Sequence, residues 1–265
     1  MKISYEEKKI EKFLSLTETT PKLAKKYLQR NQWHIDYALN DFYDSELGGF
    51  VDTTPKDVKY PQELIDLFNK YSDDGEVISI DGIMEFISDL GLKLEDIVTI
   101  CLAKLLQWDR LTNPITKEQF VSSWYMQGCS HITEMKVVMN DLKNKLISDP
   151  AYLTEIYNYT FDLIVDEGSK TLQLETAIEY WKLYFCQDLD RTIVLKVDAK
   201  LLADWIIFLE TENQNDISRD CWKMILQFFR KFPTFEAVAE EYDENDAWPY
   251  IIDEFYEYLQ ETKGI

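Results

Sequence analysis

A chain of 265 residues with 46% hydrophobic and 14% aromatic side chains can bury one large core or two smaller ones, which excludes wholesale disorder. Eight Gly and seven Pro suit long helices better than a turn-rich β protein. With 28 Lys+Arg against 49 Asp+Glu the net charge is -21, so nucleic acid and anionic membranes are repelled on average and a basic protein partner is attracted.

The first 45 residues read as three short helices. Ile10, Phe13 and Leu14 share a face between Tyr5 and Leu16. Thr20 then caps a helix with Pro21 at its first position, and Asn31 to Ile35 leads into Ala38, Leu39, Phe42 and Tyr43. This unit, residues 1–46, is charge-neutral, with eight basic and eight acidic side chains in the first 50 residues. Residues 47–60, with two Gly and Pro55 and with Pro61 directly after, read as a linker.

From Pro61 to the end the apolar spacing is helical almost throughout. Helices are predicted over 62–71, from about Ile80 to Ile87, over 94–108, 116–126, 132–146, 152–165, 174–185 and 200–209, and from a Ser218 cap to Phe229. A last helix opens at Asp246-Ala247-Trp248-Pro249 and buries Ile252, Phe255, Tyr256 and Leu259. No period of 20–50 residues marks a solenoid. All of the excess acid lies beyond residue 50, and Glu210 to Ile265 holds fourteen acids against five bases.

The residues that would carry catalysis are missing. His34 and His131 are the only histidines, and Cys101, Cys129, Cys186 and Cys221 lie far apart, without metal or redox spacing. There is no phosphate-binding glycine loop and no nucleophile elbow. The expectation is therefore no catalytic residue, metal or cofactor. Reduced, mostly buried thiols, with neither an apolar leader nor an 18-residue apolar run, predict a cytoplasmic and/or nuclear protein.

Two segments resemble calcium loops between helices, which keeps an EF-hand-like calcium-sensing adaptor as the alternative. In Tyr71 to Gly82, Gly75 at loop position six places Lys70 first and Asp81 twelfth. Ile80 at position eight places Met84 twelfth. Trp108 to Gln119 offers Trp first and Gln last. None of these registers supplies the acidic first ligand and bidentate Glu that calcium needs.

Several motifs, in order, resemble one family: Ile80-Asp81-Gly82-Ile83, Met126-Gln127-Gly128-Cys129, Tyr180-Trp181-Lys182-Leu183, Ser218-Arg219-Asp220-Cys221-Trp222, and the run Asp243 to Phe255. They resemble the defective-in-cullin-neddylation family and span its potentiating-neddylation (PONY) domain, here residues 61–265. Asn31, Trp33, Ile35, Ala38 and Leu39 resemble a ubiquitin-associated (UBA) domain, a pairing similar to the fungal members. The resemblance implies an all-α fold with degenerate EF-hand-like modules, acting as a non-catalytic scaffold co-ligase. It implies a cullin-docking patch at Asp220, Ala247 and Asp253. It also implies an apolar pocket for the N-acetylated methionine of the neddylation conjugating enzyme, lined by Ile83, Ile87, Leu102, Leu106, Ile115, Phe161 and Leu183. Further partners implied are the RING subunit, the ubiquitin-like modifier and ubiquitin, the last met through Leu39, Phe42 and Tyr43.

Overall fold

The structure is a computed structural model that describes residues 5–17, 19, 21–31, 33–48, 60–186, 188–189, 192–193, 195–212, 214–243, 246 and 248–265. The described residues form fourteen helices and three two-stranded antiparallel ribbons. The all-α class read from periodicity holds, with short strands that periodicity did not reveal. The chain divides into two compact units, Met1–Lys59 and Tyr60–Ile265.

The first unit is a three-helix cluster of α1 (Tyr5–Thr17), α2 (Pro21–Arg30) and α3 (Ile35–Gly48). Helix α3 runs two residues beyond the expected boundary at 46, and the rest of the expected linker up to residue 59 lies outside the described residues. Phe13, Ala24, Tyr27, Leu28, Ala38 and Phe42 make its core. The Phe42 ring meets those of Phe13 and Tyr27 edge-on, at 5.8 and 5.4 Å. Trp33 adopts a left-handed backbone (φ 65°) to turn the chain from α2 into α3.

The second unit is built from helix–loop–strand–helix modules joined in pairs through their strands. Helices α4 (Gln62–Tyr71) and α5 (Ile80–Leu90) flank β1 (Val77–Ile78). Helices α6 (Ile97–Leu105) and α7 (Lys117–Met126) flank β2 (Ile115–Thr116). The two strands pair antiparallel, Ile78 opposite Ile115. Helix α8 (Ile132–Ser148) leads to a second pair of modules. There α9 (Pro150–Ile164), β3 (Thr171–Gln173) and α10 (Leu174–Cys186) meet α11 (Ala199–Thr211), β6 (Asp216–Ser218) and α12 (Arg219–Lys231). Leu172 lies opposite Ile217. Between α10 and α11, β4 (Asp188–Leu189) and β5 (Thr192–Ile193) form a small ribbon. A short α13 (Phe235–Glu241) and the long α14 (Tyr250–Lys263) close the unit.

Local chemistry explains the helix starts. Thr116 and Gln119 form a reciprocal capping box at α7, and Ser218 Oγ accepts the Cys221 amide at 3.1 Å. Asp149 caps α9 by accepting the amides of Ala151 and Tyr152, with Pro150 at the first helical position. The last helix starts at Tyr250, with Pro249 as its cap residue, later than its sequence opening suggested.

The core of the second pair is an aromatic lattice. Trp222 stacks on Tyr157 at 4.5 Å and lies 5.8 Å from Trp181. Trp222 Nε1 donates to the Tyr157 carbonyl and the Tyr157 hydroxyl donates to the Trp222 carbonyl, both at 2.9 Å. Trp181 Nε1 donates to the same hydroxyl at 2.9 Å. This fixes α9, α10 and α12 to one another with every polar tip of these rings partnered. At the far end of α14, Lys263 pairs with the buried Asp204 of α11 at 2.9 Å, which anchors its last turn.

Candidate protein-docking sites

The modules have the outline of ion-binding loops, but protein groups occupy the ion's place. With the paired residues Ile78 and Ile115 at loop position eight, Tyr71 and Trp108 fall first and Gly82 and Gln119 twelfth. For the first loop, this is neither register drawn from the sequence, since the glycine and the isoleucine used as markers sit one and two places off. For the second loop it is the register expected. Gly82 carries no ligand, and a Cβ there would lie 2.0 Å from the Tyr71 carbonyl oxygen, so helix α5 rides directly on the loop's first residue. Asp74, a natural calcium ligand by type, instead accepts the amides of Glu76 and Val77 at 2.8 and 3.1 Å. Those bonds hold its carboxyl below the usual carboxylate range. Gln119 spans the second loop, with Nε2 donating to the Gln107 carbonyl at 2.9 Å and Oε1 accepting the Thr116 amide at 2.9 Å. The second pair of loops, between α9 and α10 and between α11 and α12, was not singled out by the sequence. Its one signal was the Ser218 cap. No group of three or more His, Cys, Asp or Glu among the described residues is placed to hold a metal ion.

Of the three residues implied for cullin docking, Ala247 lies outside the described residues. Asp220 is exposed in the first turn of α12, while the next residue, Cys221, turns inward. Burial, then the charge of Asp220, pushes the Cys221 thiol up to about 12. Asp253 is half-buried in the first turn of α14 and accepts a hydrogen bond from the Tyr242 hydroxyl. Both carboxylates thus sit where a helix dipole favours negative charge. Two cations of α12 are already engaged. Arg219 pairs with Asp162 and lies over the Phe161 ring at 4.6 Å, and Lys231 pairs with Asp246 at 2.8 Å.

The residues implied for the acetyl-methionine pocket divide. Ile83, Ile87, Leu102, Leu106, Ile115 and Phe161 are all buried in the core of the second unit. Leu183 is only partly buried and opens onto a surface cleft of about 460 Å³ with Leu94 and Tyr180 as its apolar wall and Glu95, Glu179, Lys182 and Cys186 around it. Ile80 and Met84, on α5 beside Ile83, and Leu94 are exposed apolar side chains that the implied pocket lining did not include. In the first unit, Phe42 belongs to the core, Leu39 packs against it, and Tyr43 is exposed with its hydroxyl donating to the Leu16 carbonyl. Both histidines are exposed, His131 just before α8, where its amide bonds the Glu134 carboxylate at 3.1 Å. Cys101, Cys129 and Cys221 are buried and Cys186 is exposed.

Three helices around a small aromatic core, followed by strand-paired EF-hand-like modules with protein-filled loops, define the class: an all-helical protein with a UBA-like unit ahead of a larger helical domain. A family model described as UBA-like domain matches residues 4–49, and one described as cullin binding matches residues 134–258. The chain is 44% identical to "Defective in cullin neddylation protein 1" of Saccharomyces cerevisiae, covering 98% of this chain and 96% of that protein. It is 45% identical to the protein of that name from Candida glabrata over 98% of each, and 29% identical to "DCN1-like protein 2" of Dictyostelium discoideum over 79% and 73%. The chain belongs to the defective-in-cullin-neddylation family.

Proposed function

We propose that the protein acts in cullin neddylation as a scaffold-type co-ligase, docking the basic winged-helix end of a cullin on Asp220, Ala247 and Asp253 while holding the N-acetylated start of the conjugating enzyme. The observation that carries this reading is that the cullin-binding match, residues 134–258, contains all three positions. Asp220 and Asp253 are moreover accessible or half-accessible carboxylates on helix starts. Such groups offer a preset field to lysine and arginine.

On this reading the reacting groups belong to the partners. Holding two partners at once raises the effective concentration of one to the other, and fixing the thioester near the acceptor lysine lowers the entropic barrier. The RING subunit and the ubiquitin-like modifier would complete the assembly, and the first unit would offer Tyr43 to ubiquitin.

The test is the rate of modifier transfer to a cullin with and without this protein. Asp220→Ala and Asp253→Ala are each expected to lose about tenfold in stimulation with an unchanged circular dichroism spectrum, as for truncated interface charges. Full stimulation by both variants would overturn the docking assignment. A second prediction concerns the enzyme site. An acetylated N-terminal peptide of the conjugating enzyme is expected to bind at least tenfold more tightly than the free amine, because a buried ammonium lacks compensation that an acetyl amide finds in hydrogen bonds. Leu183→Glu should abolish the difference; equal binding of both peptides would remove the pocket from the scheme.

A further inference from the structure

Tyr250 is the most exposed large hydrophobic side chain among the described residues, with 76% of its surface open. It stands at the first position of α14, whose inner face is made by Ile252, Phe255 and Leu259, so the core has no use for its ring. Helical spacing puts Asp253, Glu254 and Glu257 on the ring's own side, at three, four and seven residues. The hydroxyl is hydrogen-bonded to Glu254, and that bond, the charge of Glu254, and the charges of Glu257 and Glu212 raise its pKa. Glu212 is the cap residue at the end of α11, so acidic charge from a second helix end also acts on the hydroxyl.

Acids alone make a solvated, self-repelling face. An open aromatic ring among them changes what the face can hold. The ring face attracts a cation and takes the aliphatic stem of a long basic side chain, while the carboxylates neutralise its head. Tyrosine is also among the residues that most often dominate binding energy at interfaces.

We infer that Tyr250 is the aromatic anchor of the cullin-docking surface, taking a lysine or arginine of the partner across its ring, with Asp253, Glu254 and Glu212 as the acidic rim. This rests on the reading of Asp253 as a cullin contact, with which Tyr250 shares a helix face. The occupant is a basic protein segment on charge grounds. A phosphate-bearing ligand is repelled by the same rim, and a second copy of this chain brings its own net charge of -21.

The experiment titrates a fluorescently labelled fungal cullin with the full chain carrying Tyr250→Ala, Tyr250→Phe or Asp253→Ala, at two salt concentrations. Tyr250→Ala is expected to weaken binding about tenfold and to leave the salt dependence largely as it was. Tyr250→Phe, which keeps the ring, should bind like the parent. Asp253→Ala should weaken binding and flatten the salt dependence. Parent-like binding by Tyr250→Ala overturns the inference; if Asp253→Ala still weakens binding, the wider docking assignment survives. Loss in Tyr250→Ala with parent-like Asp253→Ala leaves the anchor standing and removes Asp253 from the surface. Parent-like binding by both removes the anchor and Asp253 together.

Discussion

Trp222→Ala is expected to lower the stability of the larger unit by about 3–5 kcal/mol, read as the midpoint shift in urea unfolding of the full chain. Three losses coincide at this position. The ring is fully buried and stacked between Tyr157 and Trp181, so its removal leaves a cavity that rigid aromatic neighbours cannot fill. The Trp222 Nε1 bond to the Tyr157 carbonyl disappears as well. In the buried core the hydrogen-bonded link between α9 and α12 then rests on the Tyr157 hydroxyl, with Arg219 and Arg230 left to bridge the two helices nearer the surface. Tyr157→Phe separates the polar part from the packing. It keeps the ring but strands the Trp181 Nε1 donor and removes the second bond to the Trp222 carbonyl, which should cost about 1–3 kcal/mol. A Trp222→Ala variant unfolding at the parental urea concentration would show that this lattice does not hold the helices together. Asp220 lies two residues away on the same first turn, so the loosened variant is also expected to lose cullin stimulation.

Gly82→Ala is the second large effect. The added methyl carbon would sit 2.0 Å from the Tyr71 carbonyl oxygen and 2.8 Å from Ile78 Cγ2. The closer group is backbone, so α5 must move bodily away from the loop, at an expected cost of roughly 3 kcal/mol. Gly91 provides the control. It ends α5 in the left-handed region at φ 80° with nothing near its missing Cβ, so Gly91→Ala should cost only about 1 kcal/mol from backbone conformation. Equal urea midpoints for the two variants would mean that the contact over Tyr71 is not tight in solution.

The helices were legible because burial follows their apolar spacing. Ile252, Phe255 and Leu259 on α14, and Phe86 and Ile87 on α5, lie inside as their periodicity implied. Ser218 and Pro21 announced helix starts through cap and turn chemistry that acts within four residues. The strands were not legible, since ribbons of two or three residues have too few positions to show alternation, and two of them depend on partners 37 and 45 residues away, Ile115 for Ile78 and Ile217 for Leu172. For the same reason the loop register was misplaced at Tyr71 to Gly82: glycine and isoleucine are local markers, whereas Ile78 is fixed by Ile115. At the candidate docking sites, exposure was the quantity that sequence could not supply. Phe42 and Leu183 both look like helix-face apolar residues, yet one is core and the other opens on a cleft. Tyr250 resembles one more aromatic in a chain with sixteen tyrosines until its surroundings are seen.

The side chain of Gln119 and the backbone around Gly82 do in these modules what a bound ion does in others. Helix pairs that open on ion binding translate a cellular ion pulse into an exposed surface. Here protein groups hold the helices of the first pair of modules, so their angle is set when the chain folds.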